Sequence, residues 1–289
     1  MPELPEVETI RTDLSKKILN HRIKVVRVFN VKTVGGEKNK LRLKRVLADN
    51  SFAHIARRGK LLLFELSGSK FFLGIHLKMT GQLLYVRQGL RLAGGHSFGR
   101  TTTELPNTHT RLSLQFADGG TLFFNDARLF GYVKLFSTEE KEKVVQAYGL
   151  EPLSKEFTRA AWKKLILGKK GNIKAFFLNQ KYIAGIGNIY ADEICHGAHI
   201  LPTRRLHSLT PKEITSLHST IRRVLTVAVH HRGTTFNNYV DSEGRMGSFL
   251  KHLRVYDRAG QRCKTCRRGI IKKSRHVGRG THWCAVCQI

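Results

Sequence analysis

Acidic residues and long apolar runs are both scarce in this sequence of 289 residues. Asp and Glu number 21 against 51 Lys and Arg, which gives a formal net charge of +30. Such an excess of positive charge is typical of a protein that binds a polyanion. The longest apolar stretches, at 61–64 and 71–73, are far too short to span a bilayer, which excludes a membrane-spanning protein. The chain also begins with acidic residues, unlike a secretory signal, and we expect a soluble cytoplasmic protein.

Cysteine is scarce as well, and four of the five cysteines fall into one pattern. Two residues separate Cys263 from Cys266 and Cys284 from Cys287, and 17 residues lie between the pairs. This spacing predicts two tight knuckles that present four thiolates to one tetrahedral Zn²⁺ ion. Disulfide bonds are the alternative, but a reducing compartment and the two-residue spacing argue against them. The fifth, Cys195, is predicted to be a small buried hydrophobic residue.

The segment that carries these cysteines is short. Residues 251–289 are too few to form a hydrophobic core of their own, so we expect the zinc ion to have a structural role. Zinc at such sites contributes on the order of 10 kcal/mol to folding. The segment is rich in Lys and Arg, which predicts a metal-bound β-hairpin that lies against phosphate.

The pattern of the first 250 residues predicts one helix, then a series of strands, then several helices. Apolar residues from Pro5 to Ile18 recur with helical spacing and predict an amphipathic helix. The stretch at 86–108, rich in Gly and Thr, is predicted to be a loop or a mobile insertion. Strand patterns that favour a β-sandwich occur at 22–31, 51–57, 60–66 and 71–77, with a hairpin at 112–124.

Beyond about Phe136 the strand patterns end and helix signals begin. Ser137 with Glu140, and Thr210 with Glu213, have the spacing of capping boxes. Two glycines, Gly185 and Gly187, precede another predicted helix, where backbone amides could bind a phosphate. The sequence predicts a mixed α+β chain with a β-sandwich domain at 1–136, a linker at 137–154, a helical domain at 155–250 and a zinc finger at 251–289.

The first three residues, Met1-Pro2-Glu3, suggest chemistry. Removal of Met1 would leave the secondary amine of Pro2 free, and such an amine can attack a sugar C1′ and form an iminium ion. The neighbouring carboxyl of Glu3 could protonate the ring oxygen as the sugar opens. Alternatively, Pro2 merely begins the chain and Pro5 pre-sets the backbone for the first helical turn.

Six motifs together resemble one family in order and over the full length. They are Pro2 to Glu8, Arg58 to Lys60, His76 to Gly81, Asp126 to Gly131, Gly185 to Ala191 and the four-cysteine hairpin, and the chain resembles bacterial formamidopyrimidine-DNA glycosylase. The resemblance implies an N-terminal β-sandwich flanked by helices, a helix-two-turn-helix domain, a zinc hairpin and a DNA cleft between the halves. It also implies a bifunctional glycosylase and lyase of base-excision repair that removes 8-oxoguanine and formamidopyrimidines paired with cytosine.

The resemblance carries individual roles onto this sequence. It implies that Pro2 is the nucleophile and Glu3 the acid, and that Lys60 and Arg279 assist the eliminations. It places Glu6 and a loop from about Asn237 to Phe249 over the damaged base. Implied DNA contacts are Met79, Arg128 and Phe130, which enter the gap left by the flipped nucleotide, and His76, His109, Lys169, Lys174 and Asn188, which contact phosphates.

Two other interpretations stay open at this point. An endonuclease VIII-like enzyme for oxidised pyrimidines would share Pro2, Glu3 and the finger, although the gap-filling residues favour the purine enzyme. A non-catalytic zinc-ribbon DNA-binding protein would fit the charge and the cysteines equally well. One position departs from the family, because Leu129 stands where arginine is common. We expect a monomer that acts on double-stranded DNA with oxidised purines at the bacterial nucleoid.

Overall fold

The structure is a computed structural model that describes residues 1–95, 104–234 and 248–289. These residues form two compact units. The first consists of residues 1–146 with the described residues of 231–250, and the second of residues 147–230 with 251–289. Helix α3, Thr138–Gln146, lies within the predicted linker and belongs to the first unit. The domain boundaries given above stay a prediction.

The first unit begins with helix α1, Leu4–Ile18, as its apolar spacing predicts. Val7, Ile10, Leu14 and Ile18 are buried and share one hydrophobic core with both sheets of the unit. Glu3 is the N-cap residue, and Glu6 completes a capping box with it. Helix α1 therefore fixes the backbone direction of the residues just before it.

Two antiparallel sheets form the predicted β-sandwich, and one core lies between them. The strands are β1 Ile23–Val28, β2 Phe52–Arg58, β3 Leu61–Leu66, β4 Phe71–His76, β5 Gly81–Arg87, β6 Leu90–Gly95, β7 Thr110–Phe116, β8 Thr121–Asp126 and β9 Tyr132–Ser137. The five-stranded sheet has the order β1-β7-β8-β5-β6, and the four-stranded sheet has the order β2-β3-β4-β9.

The predicted loop at 86–108 is wrong over its first ten residues. Strand β5 continues to Arg87, and β6 pairs with it through a two-residue turn, Gln88-Gly89. Both turn residues have positive φ, +44° and +80°, as a tight hairpin requires. The glycines at 89–95 thus belong to a hairpin rather than to a loop. Residues 96–103 lie outside the described part of the chain.

A helix that the apolar pattern did not predict, α2, occupies Glu37–Leu47. Only Leu43 and Leu47 of this helix are buried, so its apolar stripe is too narrow to stand out among six charged residues. The capping box predicted at the start of α3 is confirmed, because Ser137 N–H donates to Glu140 at 2.7 Å and Glu140 N–H donates to Ser137 at 3.2 Å.

The second unit contains helices and a two-stranded hairpin. Thr210 and Glu213 form the predicted reciprocal capping box at the start of the longest helix, with bonds of 2.7 and 3.2 Å. No helix in the described parts of the chain combines the length and apolarity needed to cross a bilayer. The elements are α4 Arg159–Ile166, α5 Ile173–Leu178, α6 Asn188–Gly197, α7 Pro211–His230, β10 Ile271–His276 and β11 Arg279–Cys284.

Candidate active site and metal centre

The N-terminal end of α1 holds the predicted nucleophile and acid. Pro2 is buried, and the side chain of Glu3 is only 2% exposed, whereas Met1 is exposed. The Glu3 N–H donates to Glu6 Oε2 at 2.8 Å within the capping box. The positive end of the helix dipole favours carboxylates here. Two buried residues, Pro2 and Glu3, therefore follow one another directly at the start of α1.

Glu6 links the start of α1 to a distant segment of the same unit. Its Oε1 accepts hydrogen bonds from Thr234 N–H at 2.7 Å and from the Thr234 hydroxyl at 3.1 Å. The adjoining Gly233 has φ +77°, and a Cβ there would lie 2.4 Å from Glu6 Oε1. A larger residue at 233 would thus displace the Glu6 carboxylate.

The loop predicted at 237–249 lies outside the described residues except for its last two. Ser248 N–H donates to the His231 carbonyl at 3.0 Å, and Phe249 N–H donates to the Gly233 carbonyl at 3.3 Å. The His231 Nδ1 is also 3.0 Å from Ser248 Oγ. The chain on either side of 235–247 is therefore joined by hydrogen bonds next to Glu6 and Thr234.

Lys60 and His76 occupy buried positions in the four-stranded sheet. Lys60 follows Gly59 in the two-residue turn between β2 and β3, and His76 ends β4. Burial, together with the positive charges of Lys78 and Lys60, lowers the pKa of His76 from 6.5 to about 3. The Lys78 N–H donates to His76 Nδ1 at 3.0 Å. His76 is thus neutral at physiological pH, with its proton on Nε2, and can donate a hydrogen bond but adds no charge.

Met79, Arg128 and Phe130, predicted to enter the DNA, lie together. The Arg128 guanidinium lies 4.7 Å from the centroid of the Phe130 ring, and its Nη1 is 3.8 Å from Met79 Sδ. Phe130 is 51% and Met79 38% exposed, which is unusual for large apolar side chains. An exposed apolar pair beside a cation suits insertion between bases.

Asp126, at the end of β8, connects the segments that carry these three residues. Its Oδ1 accepts from the Thr80 hydroxyl and from Arg128 N–H, the latter at 3.2 Å, and its Oδ2 accepts from Gly131 N–H at 2.7 Å. Its backbone N–H donates to the His109 carbonyl at 2.8 Å. Asp126 belongs to the Asp126 to Gly131 motif, but the sequence alone predicts no role for it.

Leu129, the departure from the family pattern, sits in a left-handed conformation with φ +57°. This conformation costs a residue with a Cβ roughly 1–2 kcal/mol. The backbone N–H groups on either side of Leu129, those of Arg128 and Gly131, both donate to the carboxylate of Asp126 and so fix the turn. The Asp126 carboxylate therefore keeps Leu129 in this strained conformation and also orders the exposed side chains of Arg128 and Phe130.

Lys174, predicted to contact phosphate, is fully buried inside the second unit. Its Nζ lies 2.6 Å from Asp192 Oδ1 and donates to the Gly280 carbonyl at 2.9 Å. Asp192 Oδ2 accepts from His282 N–H at 2.9 Å. Lys174 thus joins α5, α6 and β11, and direct contact with a phosphate would require it to leave Asp192. Asp192 and His282 were not singled out by the sequence.

Asn188 and Lys169 are more accessible. Asn188 begins α6, as the two preceding glycines indicate, and its Nδ2 donates to the Gly280 carbonyl at 3.0 Å. The Gln180 side chain holds the turn before it, because its Oε1 accepts from Gly185 N–H at 2.8 Å. The Lys169 ammonium lies 5.0 Å from the centroid of the Tyr182 ring.

Arg279 is exposed at the tip of the β10–β11 hairpin. The two turn residues, Val277 and Gly278, have φ +50° and +70°, which is the geometry of a two-residue hairpin. Gly280, next to Arg279, receives the hydrogen bonds from both Lys174 and Asn188. Buried polar contacts in the helices therefore hold the backbone that presents the Arg279 side chain.

The four cysteines of the predicted metal site converge. Their sulfur atoms lie within 4.8 Å of one another, with Cys263 Sγ 3.6 Å from Cys287 Sγ and Cys266 Sγ 3.8 Å from Cys284 Sγ. Tetrahedral zinc with Zn–S bonds of about 2.3 Å requires sulfur separations of about 3.8 Å, whereas a disulfide bond is about 2.05 Å long. The thiolates can thus hold one metal ion.

Backbone N–H groups favour the thiolate form of Cys266, whereas burial raises the pKa of Cys284 and Cys287. The N–H groups of Gly269 and Arg268 lower the pKa of Cys266 from 9.0 to about 6. A Cβ at Gly269 would lie 2.5 Å from Cys284 Sγ, so this knuckle leaves no room for a side chain. Cys195 is apart from the group and is buried, as predicted.

Comparison with known proteins agrees with this geometry. The model of the formamidopyrimidine-DNA glycosylase N-terminal domain matches residues 1–133, and that of its H2TH domain matches residues 148–239. The formamidopyrimidine-DNA glycosylase of Carboxydothermus hydrogenoformans is 40% identical, with 100% of both chains covered. That of Pelotomaculum thermopropionicum is 38% identical and covers 100% of this chain and 99% of the relative.

Solved structures of the Lactococcus lactis enzyme Fpg are also similar. Its complex with abasic-site DNA has a TM-score of 0.85 and 33% identity, with 99% of both chains covered. A complex of a variant with Fapy-dG-containing DNA has a TM-score of 0.85 and 32% identity, with 99% of both chains covered. A complex of the wild-type enzyme with oxidised-pyrimidine DNA has a TM-score of 0.84 at 32% identity over 99% of both chains.

Proposed function

The chain belongs to the formamidopyrimidine-DNA glycosylase family, and from that membership we propose that it is a base-excision-repair glycosylase and lyase for oxidised purines. The observation that carries the proposal is the pairing of buried Pro2 with buried Glu3 at the start of α1. The proposed substrate is double-stranded DNA that contains 8-oxoguanine or a formamidopyrimidine opposite cytosine. A monomer located at the nucleoid in a bacterial cytoplasm remains our expectation.

The first chemical step forms a covalent intermediate. After removal of Met1, the neutral amine of Pro2 attacks C1′ of the flipped nucleotide, the bond from C1′ to the damaged base breaks, and the base leaves with the proton that the Pro2 nitrogen loses. Glu3 gives its proton to the ring oxygen O4′ as the C1′–O4′ bond breaks, which leaves a C1′ iminium ion on Pro2. The Glu3 side chain is only 2% exposed, so little bulk water reaches the carboxyl group assigned to this step.

The second phase cleaves the strand. The iminium ion makes the C2′ proton acidic, so its loss expels the 3′ phosphate, and loss of the C4′ proton then expels the 5′ phosphate. Lys60, buried in the β2–β3 turn, assists the proton transfers, and exposed Arg279 binds a departing phosphate. The expected product is a one-nucleotide gap with phosphate at both ends.

Flipping the nucleotide costs a few kcal/mol, and the exposed cluster of Met79, Arg128 and Phe130 offsets part of it. The two apolar side chains fill the space between unstacked bases, and Arg128 faces the orphaned cytosine. Neutral His76, with its Nε2 proton, donates to a phosphate, as do Asn188, Lys169 and His109. Glu6, whose Oε1 is held by Thr234, lies on the side of the damaged base.

We assign zinc to the four-cysteine site. Cys263, Cys266, Cys284 and Cys287 would hold the ion, which supplies a structural crosslink and takes no part in the reaction. The sulfur separations of 3.6 and 3.8 Å fit tetrahedral coordination. Thiolate ligands favour zinc over hard cations such as Mg²⁺.

The proposal is tested by single-turnover cleavage of two duplexes, one with 8-oxoguanine opposite cytosine and one with thymine glycol. We expect rapid cleavage of the first and slow cleavage of the second. Pro2→Gly should abolish cleavage while it retains affinity for a duplex with an uncleavable abasic analogue. Full cleavage by Pro2→Gly would contradict Pro2 as the nucleophile, and no cleavage of either duplex by the wild type with Met1 removed would leave a DNA-binding protein without the proposed chemistry.

A wider substrate range is the second candidate. The similar Lactococcus lactis enzyme has been crystallised with oxidised-pyrimidine DNA. If the thymine glycol duplex is cleaved as fast as the 8-oxoguanine duplex, the purine preference proposed here is incorrect and the nucleophile assignment still stands.

A further inference from the structure

We propose that Asp126 is a positioning residue, which orders Met79, Arg128 and Phe130 as one rigid unit for insertion into DNA. The inference rests on the proposed function, because it concerns how the flipped state is supported. Asp126 does not reach the DNA on this account. It acts through the two turns that carry the inserted side chains.

The contacts of Asp126 span both turns. The Thr80 hydroxyl donates to Oδ1, and the same Thr80 oxygen accepts from Arg128 N–H at 3.2 Å. Arg128 N–H is shared with Oδ1, also at 3.2 Å, and Gly131 N–H donates to Oδ2 at 2.7 Å. Thr80 follows Met79 directly, and Gly131 follows Phe130. One carboxylate therefore fixes the backbone beside all three side chains.

The backbone of Asp126 adds two more links. Its carbonyl accepts from Arg111 Nε at 2.7 Å, and its N–H donates to the His109 carbonyl at 2.8 Å. The end of β8 is thus joined to the start of β7 as well as to both turns. His109, a predicted phosphate contact, is placed by the same residue as the inserted group.

The chemistry at this position requires a carboxylate. Asp126 is completely buried, and both of its oxygens accept hydrogen bonds from N–H or O–H donors. An asparagine amide has the same shape, but one of its two ends is a donor. Either orientation of the amide would point an NH₂ group at the Arg128 N–H or at the Gly131 N–H, and neither backbone N–H can accept. A buried donor that faces a donor is unsatisfied and forces the turn to shift.

Gly131 has little freedom to absorb such a shift. A Cβ there would lie 2.8 Å from the Phe124 ring and 3.0 Å from Asp126 Oδ2, so the backbone is closely packed. Leu129 between the turns already has φ +57°. Release of the carboxylate contacts is therefore expected to let residues 128–130 relax and lose the contact between Arg128 and Phe130.

The test compares Asp126→Asn with Asp118→Asn. Asp118 precedes β8, accepts from the Gly120 N–H at 3.0 Å and pairs with His21 and Arg87, so it is a control carboxylate with its own contacts at the opposite end of the same strand. The first assay is single-turnover excision of 8-oxoguanine opposite cytosine in a duplex. The second is strand cleavage at an abasic site in single-stranded DNA, where there is no orphaned base to face.

We expect Asp126→Asn to slow duplex excision by about ten- to a hundredfold, since a misplaced group can cost a factor of that size. Cleavage of single-stranded abasic DNA should be unchanged, and Asp118→Asn should match the wild type in both assays. Unchanged duplex excision by Asp126→Asn would overturn the inference. Equal losses in both assays would overturn it too, because they would indicate general damage to the fold.

A double-mutant cycle distinguishes positioning from simple stabilisation. If Asp126 acts through Arg128, adding Asp126→Asn to Arg128→Ala should cause little further loss on the duplex. Fully multiplicative losses would contradict the inference. A wild-type protein inactive in both assays would overturn the proposed function and this inference with it, whereas an active wild type with an unaffected Asp126→Asn would overturn only the inference.

Discussion

At the scale of single residues, His76 connects burial to ionisation. Its pKa in the folded protein is about 3, against 6.5 for a free imidazole, mainly because the ring is buried. The unfolded chain therefore binds more protons than the folded protein between these two values. Stability attributable to His76 is complete above pH 6.5 and is lost as the pH falls towards 3.

We predict that His76→Gln makes stability less sensitive to acid. At pH 5 the free energy of unfolding of the wild type has fallen by roughly 2 kcal/mol because His76 becomes protonated in the unfolded chain. Glutamine has no titratable group, so the variant does not lose this amount. Urea unfolding at pH 7 and pH 5 would measure the change for each variant. His54→Gln, an exposed histidine on β2, is the control and should behave as the wild type. Equal acid sensitivity in the wild type and His76→Gln would contradict the depressed pKa.

The residues that the sequence argument missed have one physical feature in common. Asp126 and Asp192 are fully buried carboxylates whose partners lie far away in the sequence. Asp126 binds Thr80, 46 residues earlier, and Asp192 binds His282, 90 residues later. A local pattern carries no information on such pairs. Pro2, Glu3 and the cysteines could be singled out because the chemistry or the spacing is local, whereas Lys60 was assigned only through the resemblance to the family.

At the scale of elements, the sequence predicted the helices and strands whose formation depends on neighbouring residues in the chain. The apolar face of α1, both capping boxes and the strands of the sandwich follow from patterns of a few residues. Helix α2 and strand β6 did not, because their burial depends on the sheets they pack against or pair with. Propensity and pattern yield to tertiary context in such elements.

Lys174 has two possible roles, a structural ion pair with Asp192 or a contact with a DNA phosphate, and the two predict different effects on stability. Because the ammonium is buried against Asp192, we predict that Lys174→Ala lowers the free energy of unfolding by about 3–5 kcal/mol, the usual effect of leaving a buried charge unpaired. Thermal or urea unfolding would measure this. Lys169→Ala, which removes a partly exposed lysine, is the control and should change stability little.

The phosphate-contact interpretation of Lys174 makes the opposite prediction. If Lys174 binds a phosphate, its replacement should leave the stability of the protein unchanged. It should lower the affinity for all duplexes alike and make the salt dependence of that affinity shallower. A stable Lys174→Ala protein with that binding behaviour would contradict the role inferred from its contacts with Asp192 and Gly280.

At the scale of the whole molecule, net charge governs association with DNA. The formal charge of +30 far exceeds what the proposed contacts use, so much of it acts at a distance to attract the duplex. We predict a steep fall in affinity for undamaged duplex as salt rises, with about −0.9 in the slope of log K against log salt for each neutralised phosphate. Fluorescence anisotropy over a salt series would measure it. A slope near zero would contradict the phosphate contacts proposed here.

The central claim is that Pro2 forms a covalent bond to the sugar, and borohydride trapping followed by peptide sequencing tests it most directly. The duplex carries one 8-oxoguanine opposite cytosine, and removal of Met1 from the protein is verified first. The account predicts a reduced cross-link whose DNA is attached to Pro2. A cross-link on a lysine, or none at all with Met1 removed, would contradict it.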